Sequence, residues 1–250
     1  MVDYFIVVEA RRTHTNLPKP LHVVEALRRR EPRFVPFMRK ILTVVVDSFP
    51  EGSSPLECEI IQRNAITRGV ADAAPEDWLL IGDVDEIPRR DKVALLRREV
   101  QAQRMRPIYF RADFYYYSFR WWHDEVWHAP AAVMVKDMIG EGKLTAHNAR
   151  VPYARGMPSV LAKGSWHMSF FGGPDAIIEK IKTYSHQEYN TKQLTAREYV
   201  EQMIEQGEDV LQRAKRGLEP PKLVRIDNCT ADIPAHILEH RERLGYMIPC

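Results

Sequence analysis

Residues 77–91, DWLLIGDVDEIPRRD, set three carboxylates, Asp83, Asp85 and Glu86, directly behind four apolar residues and a glycine. Trp78 to Ile81 read as a buried strand. If the strand continued past Gly82, Asp83 and Asp85 would point to one side and Val84 would point back into the protein. Two like charges on one side repel. They are tolerated at an open strand end in water, with Pro88 closing a solvated turn, or where a divalent cation holds both carboxylates. The surrounding pattern has to decide between the two.

Upstream, residues 2–8 (VDYFIVV) have strand composition and end at Glu9, and residues 40–47 (KILTVVVD) form a second such run closed by SFPEGSSP. Residues 22–30 have helical periodicity. From Glu57 to Ala74 the apolar positions Ile60, Ile61, Ala65, Ile66, Val70 and Ala73 recur at helical spacing until Pro75. A helix over 91–104 and a strand from Pro107 follow. This alternation predicts an α/β fold with a mainly parallel sheet flanked by helices, in which ligands bind beyond the carboxyl ends of the strands. Glu9 and Asp83 stand at two such ends. After residue 105 the pattern changes to an aromatic stretch, FYYYSFRWWHDEVW, a glycine-rich FFGGPDAI, and helical periodicity over 175–184 and 195–215.

At 250 residues the chain can bury a full core. Lys plus Arg number 36 against 34 for Asp plus Glu, so no global positive field points to nucleic acid. Cys58, Cys229 and Cys250 are an odd set without short spacing, which predicts neither a disulfide framework nor a zinc site. The apolar runs are too short to span a bilayer and no secretory signal precedes the first strand. The expectation is a soluble, intracellular protein without a transmembrane segment.

Arg63 and Asn64 lie on the helix that leads into the Asp83 strand. Arg supplies a charged fork for phosphate oxygens and Asn an amide donor. A nucleoside diphosphate needs an acceptor for its base or ribose, cations against its phosphates, and carboxylates for a divalent metal. All three residue types are present.

VDYFIVVEARRTHTNLPKPLH, QRNAI, GDVDEIPR, FYYYSF and WHMSFFGG with SHQEYN together resemble glycosyltransferase family 17, over roughly residues 2 to 215. The resemblance implies a GT-A-type, Rossmann-like fold. It also implies a UDP-sugar donor, N-acetylglucosamine by preference, a manganese or magnesium ion, and inversion at the anomeric carbon. It assigns Asp83 and Asp85 to the metal and diphosphate, with Asp85 coordinating directly. Glu9 is assigned to uracil or ribose, Arg63 and Asn64 to the neighbourhood of the diphosphate, and His167 to the metal shell. Family members usually start with an earlier strand and helix, so the first strand of the sheet is expected to be missing here. Residues 1–105 are expected to form the nucleotide-sugar-binding half, 106–217 the acceptor and metal-completing half, and 218–250 a C-terminal tail. The acceptor is expected to be a glycan or glycolipid, met in the cytoplasm or at the inner face of a membrane.

An inverting transfer needs a base for the acceptor hydroxyl. Glu188 and Asp175 are the two candidates, with His186 and Asp124 next. Each has a plainer reading: Asp175 suits the first turn of a helix, His186 and Glu188 could cap one, and His167 could be a packed core histidine. The aromatic stretch is divided between core and a rim on which sugars stack. Two rivals use the same residues differently: a non-catalytic nucleotide-sugar or glycan-binding protein, and a haloacid-dehalogenase-type phosphatase with Asp83 as nucleophile.

Overall fold

The computed structural model describes residues 2–99, 107–139, 144–151, 159–227 and 232–248. The first strand β1 (Phe5–Ala10) is followed by helix α1 (His22–Arg28) and pairs in parallel with β2 (Ile41–Val46), Phe5 opposite Ile41 and Ala10 opposite Val46. Helix α2 (Pro55–Asn64) opens on a reciprocal cap. Ser54 Oγ accepts the Glu57 N–H at 3.3 Å and the Glu57 carboxylate accepts the Ser54 N–H at 2.7 Å, with Pro55 where a missing N–H costs nothing. Beyond Asn64 the helix expected to reach Ala74 tightens into a 3-10 turn, Ala65–Val70, which carries Gly69 against Ile6 of β1.

Then come β3 (Trp78–Ile81), β4 (Glu86–Pro88) and α3 (Arg90–Glu99). The rest of the helix expected to reach Arg104 lies outside the described residues. The second half contains the long strands β5 (Ile108–Tyr116) and β6 (Trp121–Met134), the short helix α4 (Ala146–Ala149) and β7 (Ser159–Ser169). It continues through α5 (Gly173–Thr183), α6 (Arg197–Gln206), β8 (Leu223–Arg225) and α7 (Ala235–Glu239).

Six strands form one sheet in the order β3-β6-β5-β7-β4, with β8 added on β6. Among the described residues β5–β7 is its one parallel pairing, and β3–β6, β5–β6, β4–β7 and β6–β8 are antiparallel. The α/β class holds, but the mainly parallel sheet is corrected to a mixed one. The cause is the hairpin between β5 and β6, where Tyr116 faces Trp121 across residues 117–120, a turn without glycine or asparagine. Tyr117 takes the left-handed conformation itself, with φ at 61°. Such strain costs about 1–3 kcal/mol and persists where neighbours hold the residue. Here the Tyr117 hydroxyl donates to Glu208 O at 2.6 Å and accepts from Val210 N–H at 3.1 Å.

Phe114 and Tyr116 face one side of the sheet, where Ile177 and Ile181 of α5 and Val200 and Met203 of α6 cover them. Tyr115 and Phe119 face the other side, against Ile233, Ile237 and Ile248 of the C-terminal segment. The aromatic stretch is therefore core on both faces, and Tyr115, Tyr116, Tyr117, Phe119 and Trp121 are all buried. Helix α6 stops well before residue 215, because Gly207 turns left-handed at φ 65° and lies so close to the Trp121 ring that a Cβ would sit 2.4 Å from it. Cys58 is a buried free thiol, and Cys229 and Cys250 lie outside the described residues.

Candidate functional site

The site is built on the short connection between β3 and β4. Gly82 allows the chain to leave β3 there, since a Cβ would lie 2.9 Å from the Pro130 ring and 3.2 Å from Glu86 Oε2. Residues 83–86 then close a β-turn in which Glu86 N–H donates to Asp83 O at 3.0 Å, and Asp83 N–H donates back to Glu86 Oε2 at 2.8 Å. Val84 is at the tip and 97% exposed, which corrects the expectation that it points inward: the strand ends at Ile81 and does not run through the acids. The other end of the turn is tied to β7, with Met168 N–H donating to Asp85 O at 2.9 Å and Glu86 in register with His167. That ladder places His167 Nε2 3.8 Å from Asp85 Oδ2.

Three cations converge on these carboxylates. Arg63 Nη2 lies 3.1 Å from Asp83 Oδ1 and 2.8 Å from Glu59 Oε1, and its Nη1 lies 3.2 Å from His147 Nδ1. Asn64 Oδ1 accepts the His147 N–H at 3.0 Å and so fixes α4, whose following residue, Arg150, donates to Asp83 Oδ2 at 2.6 Å and pairs with Glu86. Lys180 of α5 holds its ammonium 3.4 Å from Asp85 Oδ2 and over the Phe170 ring. Arg63 thus reaches the Asp-x-Asp turn directly, and Asn64 holds the backbone of α4 that brings Arg150 to it. Arg150 and Lys180 were not legible, because they stand 67 and 95 residues from their partners in unremarkable sequence.

Burial alone would raise the Asp85 pKa, but His167 and the Lys180 charge outweigh it and bring it down to about 2. For Asp83 burial is likewise outweighed, by Arg150 and Arg63, and its pKa is lowered. Glu86 goes the other way: burial and the neighbouring Asp83 charge prevail over Arg150 and keep its pKa raised. Glu86 also accepts the Trp127 indole N–H at 2.8 Å. The arrangement presents two ionised carboxylates to an incoming cation and three fixed or tethered cations to an incoming anion.

A model of glycosyltransferase family 17 matches residues 1–250, the whole chain. The chain belongs to glycosyltransferase family 17. No curated protein and no solved structure matches it. Membership in family 17 makes sugar transfer the chemistry to explain, with a sugar donor and a glycan acceptor, and it sets the phosphatase rival aside. Among the described residues no helix is long and apolar enough to cross a membrane.

Asp85 and His167 stand together, and a carboxylate beside an imidazole suits a divalent ion such as manganese. Asp83 is drawn aside by its two arginines. Among the described residues the only three such groups whose ligand atoms lie within 4.8 Å of one another are His236, Glu239 and His240, on an exposed helix face.

The remaining sequence candidates of this family 17 chain are spread out. Glu9 is buried and both its oxygens accept from the first turn of α1, Val23 N–H at 3.0 and 3.1 Å and Val24 N–H at 3.0 Å. That is the work of a helix cap. Glu9→Gln is therefore expected to lower stability by about 0.5–2 kcal/mol, read by denaturant unfolding, with UDP affinity unchanged. A fall in UDP affinity at intact stability would return Glu9 to the nucleotide. Asp175 is in the first turn of α5, its side chain 82% exposed and paired with Arg197. It precedes Lys180 by five residues, about 140° around the helix axis, so it does not share the face that meets Asp85.

Glu188 lies on the segment after α5, where its Oε1 lies 2.9 Å from His186 Nδ1. Burial is the largest single influence and opposes its ionisation, but its own backbone N–H and His186 together overcome it and lower its pKa. The segment is joined to the turn through Ser185, which donates to Glu59, which in turn pairs with Arg63 on Asp83. Asp124 is away from this chain of contacts, beside His123 and Lys222.

Proposed function

We propose that the protein is an inverting, metal-dependent glycosyltransferase that moves a sugar, by preference N-acetylglucosamine, from a UDP-sugar to a glycan or glycolipid acceptor in the cytoplasm or at the inner membrane face. The observation that carries this reading is the Asp83–Val84–Asp85 turn set among Arg63, Arg150, Lys180 and His167 in a family 17 chain. Asp85 and His167, with Asp83, would hold the divalent ion, which supplies positive charge for the departing diphosphate. Arg63 keeps Asp83 in place while Arg150 and Lys180 offer their charges to phosphate oxygens. Glu188, its carboxylate held by His186, takes the hydroxyl proton as the new glycosidic bond forms and the anomeric carbon–oxygen bond to the diphosphate breaks. A single displacement of this kind inverts the anomeric centre.

Calorimetric titration with UDP-N-acetylglucosamine, with and without Mn2+, is the direct test. Manganese-dependent binding is expected, and a wild-type chain that binds no UDP-sugar in Mn2+ overturns the reading. Glu188→Gln is expected to bind the donor normally and transfer about 10²- to 10⁴-fold more slowly. If that variant loses donor binding, Glu188 belongs to the donor site and the base is another group.

A further inference from the structure

Lys180 and Arg150 stand where a cation is needed in two different states. Without an ion, Asp83 and Asp85 close to each other in one turn would repel, and the protein neutralises them from its own side chains: Arg150 on Asp83 at 2.6 Å and Lys180 on Asp85 at 3.4 Å. The same carboxylate oxygens are the ones a divalent ion would take. The two cations differ in freedom. Lys180 is 39% exposed, sits on a flexible stem and has Asp85 as its one ion-pair partner among the described residues. Arg150 is 10% exposed and remains anchored by buried Glu86, yet its Nε–H finds no acceptor and is buried. A buried donor of a charged group without an acceptor is costly and marks a place where one belongs.

We propose that Lys180 and Arg150 are diphosphate ligands held in reserve by the metal-binding carboxylates, so that the divalent ion and the nucleotide diphosphate bind cooperatively and the ion alone binds weakly. This inference rests on the metal and UDP-sugar reading above. An ion that arrives alone must displace Lys180 from Asp85 and compete with Arg150 for Asp83, which leaves Lys180 without an anion and Arg150 with Glu86 alone. When the diphosphate arrives with the ion, the phosphate oxygens receive the displaced cations, and the charges balance again. By linkage, whatever factor the ion adds to nucleotide affinity the nucleotide adds to ion affinity. The offset of Asp83 toward its arginines, which leaves only Asp85 and His167 together, is what such a reserved state looks like.

The test uses the full chain and two probes, Mn2+ alone and UDP in saturating Mn2+, on wild type and Lys180→Met, which keeps an unbranched apolar stem over Phe170. The expected result is a crossing of signs. Lys180→Met binds Mn2+ alone more tightly, by about three- to tenfold, and binds UDP in Mn2+ more weakly, by tenfold or more. Misfolding cannot produce that crossing, since it weakens both. If the folded variant weakens both ligands, or leaves both unchanged, while wild type binds UDP in Mn2+, the inference is overturned and the transferase reading stands. If wild type binds no UDP in Mn2+, both fall.

Discussion

Asp85→Asn is expected to reduce manganese-dependent sugar transfer by at least about a thousandfold, equivalent to about 4 kcal/mol of transition-state stabilisation, while the protein stays folded. Asparagine keeps the shape of the side chain and the backbone bond from Met168 N–H to residue 85, so β4 and β7 stay in register. What disappears is one charge facing His167 and Lys180. Lys180 is partly exposed and can return its ammonium to water, but the stability tied to the lowered Asp85 pKa is lost with the charge, so the substitution should cost up to about 2–3 kcal/mol of stability. Donor binding in Mn2+ should fall to its metal-free level. Transfer that keeps its rate and its manganese dependence in Asp85→Asn would remove this turn from the metal site.

The sequence made the turn visible because its signals are local: an apolar run, a glycine, acids and a proline within fifteen residues. It also made visible β1, α1, β2, α2 and β3, which lead to it, and α3, which follows, but neither β4 nor the change to a 3-10 turn after Asn64. The hairpin of β5 and β6 was not legible, because Tyr117 supplies the left-handed residue that a glycine or asparagine normally announces. With the hairpin missed, the sheet was expected to be mainly parallel, and Val84 to continue a strand that in fact ends at Ile81. Arg150 and Lys180 were missed for a different reason. A lone basic residue on a helix end or face is common, and only the fold shows that these two meet Asp83 and Asp85. For Glu9 the strand end was legible, and the N–H groups of α1 that its carboxylate accepts were not, because they lie fourteen and fifteen residues on.

The largest effect on stability is expected at Arg150. Its guanidinium is the counter-charge of Glu86, whose side chain has no exposure, and removing one partner of such a pair strands the other. Arg150→Met is expected to destabilise the protein by about 3–5 kcal/mol at neutral pH, read as a shift of the urea or guanidinium midpoint. The size should depend on pH in a defined direction. Glu86 already has a raised pKa, and without Arg150 it rises further. The folded variant then holds a proton that the unfolded chain gives up near pH 4, so its stability is greatest below that point and falls as pH rises through the folded pKa. Wild type should show much less of this fall. Glu86→Gln in the same chain removes the stranded charge and keeps an oxygen to accept from the Asp83 N–H or the Trp127 indole. The double variant Arg150→Met/Glu86→Gln is therefore expected to recover at least half of the lost stability and to lose the pH dependence. If it is as unstable as Arg150→Met alone, and equally insensitive to pH, the deficit comes from lost packing around the guanidinium and the buried carboxylate is not its cause.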